Sequence, residues 1–186
     1  MPLEYVTSLE GAPLLKKARE VPPWQFPPWL AAGKLFVRYT DNYNFLARGA
    51  SGLFSSIIRM ELDEACYFVM LEPDPEEYEA AYGTLPILRF APFVTDDEFW
   101  SKTTFDPIGG PVGITMYGEV MVMFGEKASW LVYYKRSRSM AMLVTSFNPD
   151  TLIEVTPNWW YPFDLVRENV PSNIPVFYEQ GPIYVR

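Results

Sequence analysis

Histidine is missing from this chain altogether. That absence removes the side chain most often used as a general base and most often bound to a metal, so Ser-His-Asp and Cys-His catalysis are both excluded. Cysteine is nearly missing too. Cys66 stands alone, which rules out an intramolecular disulfide and, with no imidazole to help, leaves zinc-type sites short of ligands. Its place in the run ACYFVML fits a small buried residue, the usual fate of a free thiol. No apolar run approaches the roughly 20 residues of a membrane helix. The opening residues MPLEYVTSLEG lack the basic start and apolar stretch of a secretory leader. From these absences we expect a cytoplasmic protein without a membrane partner.

Chemistry-bearing motifs are equally scarce. DPIGGPVG, residues 106–113, is glycine-rich but lacks the Lys-Ser/Thr ending of a P-loop and the spacing of the dinucleotide fingerprint, so it reads as a turn. GASGL, residues 49–53, has Leu53 where a nucleophile elbow needs glycine. No Ser or Thr is followed by Lys three positions later, and DEFW and DPEEYE do not form the alternating acidic ladder of a calcium loop. No catalytic residue, cofactor or metal is expected on these grounds.

What the chain has in quantity is aromatic surface and negative charge. Its 6 Trp, 12 Tyr and 13 Phe supply enough large apolar area for a substantial core, with Trp and Tyr left over as interface anchors. At 186 residues it falls in the size range of one compact domain, read here as 1–186 with a proline-rich segment, 1–33, packed on it. Net charge is −8, and the acids are concentrated: twelve lie between Glu61 and Asp106, against only Arg89 and Lys102. Such a field repels nucleic acid and speeds encounter with a basic protein. Two small basic groups stand apart, Lys16, Lys17 and Arg19 near the start, and Lys135, Arg136 and Arg138 at an expected hairpin tip in solvent.

Along the chain, PLLKKARE at 13–20 suggests a short helix with Pro13 in its first turn. VPPWQFPPWL is too proline-rich for a helix, and Trp24, Phe26 and Trp29 are placed to strap it onto the core. KLFVRYT alternates as a half-buried strand does; GLFSSIIRMEL and ACYFVMLE read as further strands. DPEE marks a helix start with Asp74 as cap, Pro75 first and Glu77 three residues past the cap; Gly83 ends it, and Tyr78, Ala81 and Tyr82 form its packing face. LPILRFAPF is extended and, with Pro86 and Pro92, suits an edge. Thr95 to Glu98 forms a capping-box pattern ahead of a helix near 96–103. GITMYG, EVMVMFG, ASWLVYYK and MAMLVTSF then read as successive strands of an antiparallel meander. Near the end a helix is expected at about 162–169, followed by VFYE and PIYVR as short strands. The fold class is therefore α+β, a mainly antiparallel sheet with a few short helices packed on it.

In size, acidity and aromatic content the chain is similar to bacterial immunity proteins that neutralise toxins, a likeness of composition carried by no motif. The leading expectation is a non-catalytic module that docks an acidic surface onto a basic protein partner through Glu76, Glu77, Tyr78, Tyr82, Asp96, Asp97, Phe99 and Trp100. The alternative is a small-molecule binder or His-independent enzyme with an aromatic pocket of Trp130, Trp159, Trp160 and Tyr161. Self-association through exposed aromatics is a third.

Overall fold

A computed structural model describes residues 3–30, 33–47, 49–110, 113–152, 166–168 and 183–185. Eight strands form an antiparallel sheet in the order β1 (Leu3–Tyr5), β4 (Ile87–Phe90), β3 (Cys66–Glu72), β5 (Val120–Gly125), β6 (Leu131–Lys135), β7 (Met140–Thr145), β2 (Gly33–Thr40) and β8 (Ile183–Val185). The helices are α1 (Ser8–Arg19), α2 (Ala50–Met60), α3 (Pro75–Tyr82), α4 (Asp96–Thr104) and α5 (Ile114–Tyr117). The α+β expectation and the β5-β6-β7 meander both hold.

Strand geometry sends alternate side chains to opposite faces, and here both faces are covered. Phe68, Met121, Met123, Val132, Tyr134 and Leu143 meet α2, α4 and α5 on one side. On the other, Val69, Val122, Phe124, Tyr133, Met142 and Val144 meet α1 and residues 21–30. Burial on two faces explains why β5, β6 and β7 are nearly continuous apolar runs, a pattern more often seen in parallel sheets.

The stretch expected as a strand at 52–62 is helix α2 instead. Ala50, Leu53, Phe54, Ile57 and Ile58 recur at spacings of three and four, so they share one buried stripe. The stripe carries Phe54 into a ring cluster, 4.6 Å from Phe68 and 6.1 Å from Phe99, with Phe68 stacked on Phe90. α1 begins five residues before its expected start, capped by the Thr7 hydroxyl, and Pro13 lies inside it. The proline ring is exposed, and so is Leu9, whose carbonyl it deprives of a donor. GITMYG is not a strand but contains the single turn α5, whose last carbonyls are taken by Arg136: its guanidinium donates to Met116 O at 2.7 Å and to Thr115 O. Arg136 thus folds back from the β6–β7 turn; it and Lys135 are half-buried, not held in solvent as expected, while Arg138 is exposed.

Other local expectations hold with adjustments. Asp74, Pro75 and Gly83 (φ 75°) bound α3 as read, but its inner face is Pro75 and Tyr78 while Ala81 is exposed. β4 lies one place in from the edge, covered by the three-residue β1. Residues 21–30 run across the α1 face: Trp24 is buried edge-on to Tyr133 at 5.0 Å, and the Trp29 indole donates to Lys17 O at 2.9 Å. The Lys17 ammonium sits 4.8 Å over Trp29 and 4.9 Å over Phe124, and burial lowers its pKa. Of the expected helix at 162–169, only 166–168 is described, and it is helical; VFYE lies outside the described residues.

Two acids of the concentrated set turn inward just after α2. Glu61 accepts from the Ser146 amide at 2.8 Å and its hydroxyl at 2.9 Å. Asp63 accepts from the Lys127 amide and from the Trp130 indole, each at 2.8 Å. The approach is so close that a Cβ on Gly125 would stand 1.9 Å from the Asp63 carboxylate. Replacing Asp63 with Ala leaves a buried indole N–H without its partner, and a loss of about 2–4 kcal/mol is expected from the broken charge-assisted bonds. Urea unfolding of the D63A variant measures it; a change below about 0.5 kcal/mol contradicts this role.

Candidate functional site

A depression of about 1080 Å³ opens beside the edge strand. One side is α4, whose start is fixed by its capping box: the Thr95 amide donates to the Glu98 carboxylate at 3.0 Å, and the Glu98 amide to the Thr95 hydroxyl at 3.2 Å. Phe99 and Thr103 face the core, so Asp97, Glu98, Ser101 and Lys102 are left to line the groove. The opposite side is the DPIGG stretch, which is the turn expected of it. Asp106 Oδ1 accepts from the Ile108 and Gly110 amides at 3.0 and 2.7 Å, and this holds Phe105 and Ile108 at the rim, 44% and 77% exposed. β1 supplies Leu3, Glu4 and Tyr5, and Tyr82 closes one end.

The groove therefore combines apolar rings with the carboxylates of Asp97, Glu98 and Asp106 and a single ammonium, Lys102, and Glu4 borders it where β1 passes. Below it, the Tyr5 hydroxyl lies 3.3 Å from that of Tyr78 and donates to Phe105 O at 3.4 Å. Burial raises the pKa of both phenols; the shared hydrogen bond pushes Tyr78 further up, and Asp106 adds to both. These hydroxyls stay protonated at neutral pH and act as a polar seam, not as a base.

The expected docking residues are divided among several places. Tyr82 and Asp97 line the groove together. Tyr78 and Phe99 are buried at 2% and 0% exposure, so neither is a surface anchor; the spacing that made them look like one is the packing face of its own helix. Trp100 is partly exposed on α4 and does not line the groove. Asp96 accepts from the Ser51 hydroxyl and ties α4 to α2. Glu76 faces α1 and pairs with Arg19 at 2.6 Å, and Glu77 is exposed on the same helix. The negative groups of the middle third are thus spread between the groove, the α1–α3 contact and the interior.

Of the alternative pocket, Trp130 is fully buried with its indole on Asp63, and Trp159, Trp160 and Tyr161 lie outside the described residues. Sequence reading missed Glu4, Tyr5, Phe105 and Ile108 as groove residues. Asp106 followed by Pro-Ile-Gly-Gly did signal a rigid turn, but nothing local says that β1 would be brought opposite it. Among the described residues no group of three or more acidic or thiol side chains is placed to hold a metal ion, and no helix is long and apolar enough to cross a membrane. Comparison with protein-family models, curated proteins and solved structures finds no match.

Two measurements check these electrostatics. The Arg19 guanidinium, hydrogen-bonded to Glu76, holds that carboxyl at about 2, with Asp74 contributing. A folded pKa below the unfolded one means the contribution is present above the ordinary carboxylate range and is lost as pH falls toward 2. Because both side chains are about half exposed, a double-mutant cycle of R19A and E76Q is expected to give only about 0.2–1 kcal/mol at neutral pH and nothing at the acid end. At the alkaline end, burial raises Tyr5, Tyr78 and Tyr133, the last to about 12. Their contribution is full below the ordinary tyrosine pKa near 10 and is lost as pH rises through the folded values. Tyrosinate absorbance should lag behind that of the unfolded chain and rise abruptly on alkaline unfolding; a titration matching the unfolded chain contradicts the burial.

Proposed function

We propose that the chain is a non-catalytic binding module whose acidic, aromatic-lined groove beside β1 docks a basic surface of a protein partner. The observation that carries this reading is the groove's composition: the carboxylates of Asp97, Glu98 and Asp106 against one ammonium around a rim that includes Phe105, Ile108 and Tyr82. Apolar rings supply contact area, and unbalanced charge selects against acidic competitors and raises the association rate. The compositional likeness to immunity proteins points to a basic toxin as the partner class, with the groove as the neutralising surface. The groove replaces the wider set first expected, because Tyr78 and Phe99 are buried and Glu76, Glu77 and Asp96 do not line it.

The test is calorimetry and stopped-flow association with the product of the adjacent gene. Binding should weaken with added salt. Charge reversal at the groove, D97K strengthened by S101K, should slow association by about tenfold or more, while reversal of the exposed Glu77 should change it far less. Association that ignores both salt and the groove reversal refutes the proposal. Sedimentation of the isolated chain over a range of concentrations separates it from self-association, which would bring the same groove residues into a contact between copies.

A further inference from the structure

β1 ends the sheet in register with β4: Leu3 faces Phe90, Glu4 faces Arg89 and Tyr5 faces Leu88. The next pair, Val6 and Ile87, is bonded from Val6 N to Ile87 O at 2.9 Å. Bonding residues alternate along an antiparallel pair, so Glu4 and Val6 turn their peptide groups toward β4. The N–H and C=O of Leu3 and Tyr5 therefore point outward, away from the sheet. β3 and β4 obey the same alternation in the opposite sense, since Met70 N bonds Pro86 O at 3.1 Å and Ile87 and Arg89 are left to serve β1.

A second depression, about 430 Å³, flanks the same strand. It shares Glu4 and Tyr5 with the large groove but adds Thr7, Glu10, Pro13 and Leu14 on the α1 side together with Tyr67 and Arg89, so that its polar groups stand around an apolar patch of Pro13, Leu14 and Tyr67. Leu3 packs with the α4 side of the core and Val6 with the α1 side, so the two depressions open on opposite faces of the sheet. Outward peptide groups with a hollow on either face form the arrangement that accepts an added strand, whose main chain bonds the edge while its side chains alternate between the hollows.

We propose that the partner enters as an extended basic segment that adds a ninth strand beside β1. It places Lys or Arg at every second position over Asp97, Glu98 and Asp106, and apolar residues at the intervening positions against Pro13, Leu14 and Tyr67. Long basic side chains suit the first hollow because their stems cover Phe105 and Tyr82 while their charged ends reach the carboxylates. This inference rests on the basic-partner reading and adds to it the mode of engagement and the alternating pattern of the segment.

The probe is a capped hexapeptide alternating Lys and Val, followed by amide NMR of the full chain, with two analogues N-methylated either at every Lys or at every Val. Only one set of amides in an added strand faces β1. The parent peptide should shift Leu3, Tyr5, Asp97 and Lys102 and slow hydrogen exchange at the Leu3 and Tyr5 amides. One analogue should weaken binding by about tenfold or more, and the other should bind like the parent. Equal effects of the two analogues, or groove shifts without slowed exchange at Leu3 and Tyr5, overturn strand addition while leaving the basic-partner reading standing. Absence of any response overturns strand addition as well, and the charge-reversal kinetics with the protein partner then decide the broader reading separately. Slowed exchange that depends on protein concentration without peptide identifies the occupant as a second copy and overturns the proposal.

Discussion

The rest of the architecture depends on a sheet that is dry on both faces. Because α2, α4 and α5 cover one side and α1 with residues 21–30 covers the other, the central strands have no face to offer a ligand. Polar chemistry is pushed to the perimeter, where strands end and helices begin. That is why the groove of about 1080 Å³ lies at β1 and is lined by α4, β1 and a loop, rather than by residues of the meander.

Within this frame the same side-chain chemistry does three different jobs. Glu61 and Asp63, near the end of a buried helix, are satisfied by amides and an indole and fasten α2 to the ends of β5 and β7. Asp74, Glu98 and Asp106 organise local chain reversal and helix starts, where a carboxylate meets otherwise unpaired N–H groups. Asp97, Glu98 and Asp106 also border the groove. A count of acids along the sequence cannot separate these uses, since each is decided by what lies opposite. Arg19 removes Glu76 from the surface field, and Ser51 engages Asp96.

Legibility followed the range of the interactions. Helix starts that depend on three or four neighbouring residues, at Asp74 and Thr95, were plain in the sequence, as were strands whose apolar runs are bounded by turns. α2 was misread because its paired Ile57 and Ile58 and the aromatic Phe54 favour strands, although the three-four spacing from Ala50 onward carried the correct period. α5 was beyond reach of local reasoning: four residues with strand-like composition are held helical by an arginine from a distant turn. The groove has the same character. Its α4 half was visible as an acidic cap next to aromatic residues, but its β1 half exists only because Leu3–Tyr5 pairs with a strand more than eighty residues away. Tyr78 and Phe99 looked like anchors for the same reason that they are buried: large rings at helical spacing serve either purpose, and only packing decides.

Cys66 opens β3 inside this covered interior, fully buried, and burial pushes its thiol pKa well up. Alkylating reagents therefore meet no native target while the fold is intact. The molecule is in effect a blank background for site-directed labelling: a cysteine introduced at Thr84, on the groove margin, would be the single reactive sulfur, and a fluorophore there would report occupancy of the groove without a competing signal.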